Sequence, residues 1–557
     1  MTDILKLKKS NCKNCYKCIR NCPVKSIRFS GNQAHIIADE CILCGRCFVV
    51  CPQNAKEIRN DVEKARVLIQ SGKQVFVSVA PSWSANYSGV SFACLTNGLI
   101  KLGFAGAEET AVGATMVKKQ YESLLSDGSH DLIISSCCHT VNLLIEKYYP
   151  AALPFLANVV TPMEAHCADL KRRNPDSNTV FIGPCISKKA EARDVDANVD
   201  CALTFEELTE WFEAEKIELE PSAPAPDGSG RARSFPTSGG IISCMDKPSG
   251  YTYMSVDGME NCLAALHDII AGNIKKCFVE MSACSGSCIG GPVMEKTHHS
   301  PITDYIAVNS LVGEQDFSAD FSPERLTCSH LPSANGGSEP SEEEIRSVLR
   351  EMGKTKPEDE LNCGSCGYDS CREKAKAVLR GKADLTMCLP YLKERAQSLS
   401  DSIIRNTPNG IILLNEEMEV QEINAAALRI FNLRDASDVL GEPVIRITDP
   451  ADYIKALNLK RSLPKKRRYL AEYSRYIDET VVYDAAYRTI TCIMQDVTED
   501  EAQREKKDSI SRHTIEVTDK IIEKQMRAVQ EIASLLGETT AETKIALTKL
   551  KESLSDD

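Results

Sequence analysis

Two short runs near the amino terminus, "CKNCYKCIRNCP" and "CILCGRCFVVCP", repeat the spacing C-x2-C-x2-C-x3-C-P and constrain the chain more than any other feature. Thiolates at this spacing wrap one face of a metal centre, and the proline turns the chain away. The sequence holds 25 cysteines and opens without an apolar leader. Such cysteines are expected to bind metal rather than form disulfides. At 557 residues the chain should divide into several domains. A net charge of −13 argues against a nucleic-acid partner. No apolar run approaches a membrane span, so the reading is a cytoplasmic protein with no membrane partner.

The paired runs resemble bacterial ferredoxins with two 4Fe–4S clusters, in which the fourth cysteine of each run serves the other cluster. The resemblance implies one cluster on Cys12, Cys15, Cys18 and Cys51, and a second on Cys41, Cys44, Cys47 and Cys22. A zinc site is the alternative; two copies with both prolines argue against it. Residues 1–62 are thus expected to pass electrons.

From 66 to 330, strand-like runs alternate with helical stretches. Four apolar runs end in chemically loaded residues: "QVFVSVAPSW" at Ala80-Pro81-Ser82, "DLIISSCC" at Cys137-Cys138, "TVFIGPCISKK" at Cys185 and Lys188, and "KKCFVEMSACSGSC" at Cys284 and Cys288. Strand carboxyl ends that gather functional loops are what a parallel α/β sheet offers. Adjacent cysteines are poorly placed to bridge one another, so Cys137 and Cys138 call for separate tasks.

This block resembles the FeFe-hydrogenase catalytic domain. That family's motifs, T-S-C-C-P, M-P-C-x-x-K-x-x-E and E-x-M-A-C-x-x-G-C, stand here as "SSCCH", "GPCISKKAE" and "EMSACSGSC". The resemblance implies an H-cluster: a 4Fe–4S cubane on Cys138, Cys185, Cys284 and Cys288, with Cys288 bridging to a two-iron subsite carrying CO, cyanide and an azadithiolate. It further implies that Cys137 relays protons and that Lys188 donates a charge-assisted bond to a cyanide. Ala80, Pro81 and Ser82 would line the other cyanide, and Phe235 the pocket. The alternative for Cys137 is a core residue, and for Lys188 a surface lysine beside Lys189. The family's methionines are replaced by Gly183 and Ser282, which are candidate cofactor and catalytic positions. The family's proton-carrying helix reads roughly TIMEEATE. Here "TAVGATMV" puts Gly113 and Ala114 at the acidic positions, and Ala157 stands where the family links the relay with serine. Slow turnover, or another proton path, is the expectation. Cys94, Cys167, Cys201, Cys244, Cys262, Cys277 and Cys328 are expected to be buried free thiols.

Residues 340–394 hold a second cysteine set, Cys363, Cys366, Cys371 and Cys388, spaced C-x2-C-x4-C-x16-C. It resembles a 4Fe–4S domain of electron-transfer complexes, with zinc as the alternative. Its position suggests an electron port between the catalytic block and the C-terminal third of the chain. Residues 396–500 resemble a PAS sensor domain: a hairpin around "GIILLNEEMEV", then three strands closing on Asp-Val-Thr. No histidine lies between His330 and His513, which excludes a histidine-held haem there. In the helical tail, 501–557, Ile515, Ile522, Val529 and Leu536 fall seven apart, a pattern for docking or dimerisation.

The expected fold is multidomain and mixed α/β: ferredoxin-like head, hydrogenase block, small Fe–S domain, α+β PAS domain, helix. The expected function is that of a sensory FeFe-hydrogenase with H2 as ligand and a kinase or phosphatase as partner. A homodimer and a ferredoxin-like electron carrier are further candidate partners. The alternatives are a ferredoxin-linked metabolic hydrogenase and an iron–sulfur assembly factor.

Overall fold

The computed structural model describes residues 4–8, 11–193, 198–222, 228–296, 300–320, 322–333 and 339–553. It divides into two compact units, residues 1–392 and 393–557. Among the described residues no helix is long and apolar enough to cross a membrane.

In the head, strand Leu5–Leu7 pairs with Lys56–Ile58 and Ile27–Ser30 with Gln33–Ile36, both antiparallel. Between them lie two single-turn helices, Lys17–Arg20 and Arg46–Val49, which carry Cys18 and Cys47. Each is preceded by a left-handed residue, Tyr16 (φ 54°) and Gly45 (φ 74°), so the chain coils tightly enough to turn successive thiols to one side. Gly45 has a second constraint. A side chain there would strike Pro292 and Ile186 of the catalytic block, so glycine lets the two backbones approach.

The catalytic block holds two parallel sheets rather than one. The first has the order Gly106–Glu109, Val75–Val79, Asn178–Gly183, Cys201–Thr204; the second, Thr252–Asp257, Cys277–Ser282, Leu132–Ile134. Runs such as "VFVSV" and "LII" are almost wholly buried, as parallel strands covered on both faces require. Each sheet sends two of the four loaded strand ends toward the site. Helix Ala111–Asp127 crosses helix Pro162–Arg173 at Gly113, where an added Cβ would sit on the Pro162 carbonyl oxygen and 2.7 Å from the His166 Cβ.

The small Fe–S domain follows the catalytic block in the chain. It docks on the head. Arg20 donates from Nε and Nη2 to the Gly364 and Ser365 carbonyls, both at 3.3 Å. Lys25 Nζ donates to the Gly367 carbonyl (3.1 Å), and the Phe29 amide to the Lys382 carbonyl (2.8 Å). Ile19, Cys22, Cys366 and Tyr368 share one apolar cluster.

In the second unit, five antiparallel strands lie in the order Val420–Ile423, Gly410–Leu414, Thr489–Asp496, Arg475–Asp484, Leu463–Leu470. Numbered within the domain this is 2-1-5-4-3, the order of a PAS sheet. Cys492 is fully buried in its core, beside Tyr453 and Ile412. Helix Leu389–Asn406 begins directly after Cys388 and precedes the first of these strands; helix Thr498–Ser553 comes after the last.

Gly367 tests the docking of the Fe–S domain. It is left-handed (φ 93°), and an added Cβ would lie 3.0 Å from Ile19 side-chain carbons. Gly367→Val should cost about 1–3 kcal/mol of packing and loosen the interface. Hydrogen exchange at the Phe29 amide should then accelerate about tenfold or more, with exchange in the 393–557 unit unchanged. An unchanged Phe29 amide would refute the docking.

Candidate active site

The buried strand Leu132–Ile134 runs into Ser135 and Ser136, also buried, and then into Cys137 and Cys138. Cys138 caps helix His139–Tyr148 in an extended conformation, so its sulfur meets the positive end of a helix. Cys185 comes after strand Asn178–Gly183, and Cys284 and Cys288 after Cys277–Ser282. These loops meet closely: a Cβ on Gly291 would be 2.9 Å from the carbonyl oxygens of both Cys288 and Pro184.

Cys138, Cys185, Cys284 and Cys288 are brought together. Burial pushes Cys284 well above the ordinary thiol range, and Cys185, Cys138, Cys288 and then Cys44 push it further. Cys288 is raised likewise, by burial and then by Cys138 and Cys185. Four thiols gathered this closely would repel one another as thiolates unless metal charge compensated them. The donor set therefore fits an iron–sulfur cluster.

Cys44 and Cys284 also stand on facing walls of the cleft between head and catalytic block. In the head, Cys22, Cys41, Cys44 and Cys47 line one cavity, while Cys18 is neighboured by Cys12, Cys15 and Cys51. Cys363, Cys366, Cys371 and Cys388 line a third. Tyr368 has both Cys366 and Cys22 as neighbours. In space the thiol sets run from the Fe–S domain to the head and from the head to the catalytic block.

Lys188 is not a surface lysine. Its Nζ donates to Glu191 Oε2 at 2.6 Å, and it neighbours Cys185 and Cys138. Burial works against both charges, but the pair sustains itself: Lys188 is held above and Glu191 below its ordinary range. Thr161 donates a short bond to Glu191, and His139 Nδ1 is 3.8 Å from the same carboxylate. Lys189 is buried separately, paired with Asp61 (2.9 Å) and Glu207 (2.7 Å).

Ala80 donates its amide to the Ile182 carbonyl, which places Ala80-Pro81-Ser82 beside Gly183 and the Cys185 loop. The Ser82 hydroxyl is fully buried and has no protein partner, a donor left free for a bound group. At Gly183 a Cβ would be 2.7 Å from the Phe181 ring, so that ring occupies the space in front of the glycine. Ser282 Oγ pairs with Ser287 Oγ at 3.0 Å. Phe235 is buried in the same apolar cluster as Cys137 and Tyr121.

The sequence pattern offers Cys137 no proton partner. The structure supplies Tyr121, whose hydroxyl is 3.3 Å from Cys137 Sγ and 3.1 Å from Ser136 Oγ, and accepts the Ser136 amide at 2.9 Å. Burial pushes the Cys137 thiol up to about 12, against the Tyr121 bond, so it stands protonated. Glu280 is close enough to raise it further, and burial pushes the Glu280 carboxyl itself up to about 7, against backbone donors at 239–242. Tyr121 lies eight residues beyond Gly113 on one helix, a spacing without a motif to mark it.

Residues 73–292 match the family "Iron only hydrogenase large subunit, C-terminal domain". This stretch belongs to the FeFe-hydrogenase large-subunit domain family. Residues 4–52 match a 4Fe–4S dicluster domain and 359–390 an Fe–S cluster family. The hydrogenase-bearing chain is similar to FeFe-hydrogenase HydA1 from Chlamydomonas reinhardtii (17% identical, 50% of this chain, 100% of that chain, TM-score 0.38). It is also similar to the Cytosolic Fe-S cluster assembly factor NAR1 of Eremothecium gossypii (26% identical over 211 residues, 34% of this chain, 46% of that one). The PAS domain of an HTR-like protein from Haloarcula marismortui is similar as well (17%, 19% of this chain, 94% of that chain, TM-score 0.16). The chain spans less than half the length of the curated relatives it matches.

Two substitutions probe the surroundings of Cys137 under the H2 chemistry proposed below. Tyr121→Phe keeps the ring and removes the hydroxyl. It should slow H2 turnover about 100-fold while the cofactor's infrared bands stay in place; unchanged turnover would exclude Tyr121 from the route. Gly113→Glu, which would restore the family's acid, has no room. It should lower stability by about 1–3 kcal/mol without raising turnover, measured by thermal unfolding and H2 assay.

Proposed function

We propose that this protein is a sensory FeFe-hydrogenase that converts H2 reversibly to protons and electrons, slowly, and passes its state to a partner. When bound, the H-cluster supplies the redox chemistry on H2. Cys138, Cys185, Cys284 and Cys288 would hold its cubane; Lys188 and Ser82 are the donors for its cyanides. The chain's own residues do the rest. Glu191 keeps Lys188 charged and aimed. Cys137 holds a proton, and Tyr121 and Glu280 are its nearest exchange partners. Phe235 and the packed loops exclude water.

One observation carries the slow-sensor reading. The donors at the site are present, while the family's outward acid path is closed by the Gly113 crossing. An enzyme under pressure for speed has no use for that exchange; a detector needs only to settle into an H2-dependent state. Electrons would travel through the head to the Cys363–Cys388 set, which lies one residue before the helix leading to the PAS sheet. For a signal to pass, H2 must favour one of two conformers. Ile515, Ile522 and Val529 are more than half exposed along the terminal helix, a row suited to a second copy or to a kinase or phosphatase.

The similarity to an iron–sulfur assembly factor supports a second reading, without a two-iron site. Infrared spectroscopy and H2 assay on one anaerobic sample, loaded with iron–sulfur clusters and a synthetic two-iron cofactor, separate the readings. CO and cyanide bands that respond to H2, with slow turnover, are expected. Fast H2 evolution would instead indicate a metabolic, ferredoxin-linked hydrogenase. No bands despite full iron would leave the assembly factor. Cys137→Ala should retain the bands and lose about 100-fold or more of the H2 activity.

A further inference from the structure

Away from the cluster-forming thiol sets, one cysteine stands in the arrangement of an activated nucleophile. Cys328 is expected from the sequence to be a buried free thiol; it is partly exposed. Its amide donates to the Asn158 carbonyl at 3.2 Å, and its neighbour Thr327 bridges Val159, so this stretch of backbone is tied down. Two residues on, His330 Nε2 is 3.5 Å from Cys328 Sγ. On the other side of the ring, Nδ1 donates to Glu146 Oε1 at 2.8 Å. Glu146 belongs to helix His139–Tyr148, and its carbonyl accepts the Ser333 amide at 2.9 Å. A contact between residues two apart is easily accidental. A carboxylate 184 residues away that fixes the ring's other nitrogen is not.

The electrostatics agree with the geometry. Burial works against a charged His330, but the bonds to Cys328 and Glu146 outweigh it and hold the ring up to about 9. The ring is therefore charged at neutral pH and donates at both ends. A ring held at Nδ1 by a carboxylate and facing the sulfur with Nε2 is the arrangement of a nucleophile, its base and the group that orients the base. Cys94, also partly exposed, has no such partner; its thiol donates to the Glu220 carbonyl (3.3 Å).

The geometry points to Cys328 as a thiol-redox modification site, with His330 and Glu146 as its positioning residues and a low-molecular-weight disulfide as its co-reactant. The Cys328 thiolate attacks one sulfur of the disulfide, a new S–S bond forms, and the reagent's S–S bond breaks. Cys328 is oxidised and the reagent reduced by the same electron pair, and the departing thiolate is protonated from solvent. Glu146 lies two turns along the helix whose N-cap position Cys138 occupies.

The test uses the full, cluster-loaded chain under anaerobic conditions. Iodoacetamide is pulsed across a pH series and labelling of Cys328 and Cys94 is followed by peptide mass spectrometry; oxidised glutathione is then the disulfide probe. At about pH 6, Cys328 should label about tenfold or more faster than Cys94, and it should form the mixed disulfide. Glu146→Gln, which keeps the side chain's size, should bring the two rates together, and His330→Gln should do the same. Cys328 labelling no faster than Cys94 would overturn the proposal. So would fast labelling that neither substitution slows, because the thiol would then owe nothing to the His330–Glu146 pair.

Discussion

Four thiols gathered from three strand ends set the constraint on which the rest of this structure depends. The surrounding protein raises the Cys138, Cys284 and Cys288 thiols above their ordinary range, and the neighbouring cysteines push each further. Only compensating positive charge makes such a cavity tolerable. The surrounding structure supplies part of it through the helix end at Cys138 and the charged Lys188, which Glu191 keeps in place. The two-sheet architecture answers the same need. No local loop could bring residues 138, 185, 284 and 288 together; two parallel sheets do so, one contributing the strand end before Cys185 and the other the ends before Cys138 and Cys284.

Electron supply depends on close approach. Gly45 lets the head press its second thiol set against Pro292 and Ile186, bringing Cys44 next to Cys284. On the head's other flank, Ile19 and the Arg20 and Lys25 side chains hold the small Fe–S domain, with Tyr368 between Cys366 and Cys22. Each junction rests on a glycine where a Cβ would force backbones apart. The connection from there to the PAS sheet is covalent, through one helix that starts beside Cys388.

Proton handling shows how a family pattern can be altered without losing its centre. Gly113 and Ala157 remove the acid and the serine of the family's route, and the helix crossing at Gly113 fills the vacated space. Cys137 keeps a hydrogen-bond partner because Tyr121, two turns further along the same helix, reaches it in place of the lost acid. Tyr121 and Glu280 are both buried beside Cys137.

Cysteine spacing by itself determined the duplicated head, the three long-range catalytic motifs and the small Fe–S set, because thiolates that share a cluster impose fixed intervals on the chain. Periodicity likewise marked the strands that end at Ala80, Cys138, Cys185 and Cys284, and the hairpin that opens the PAS domain. Tertiary structure alone decided the partition into two sheets, the docking of the Cys363–Cys388 domain on the head, the closure at Gly113, and the pairings of Cys137 with Tyr121 and of Cys328 with His330 and Glu146. These depend on contacts between side chains far apart in the chain, made one at a time. A single contact leaves no periodic or spaced signature in a sequence, whereas a shared cluster or a buried strand does.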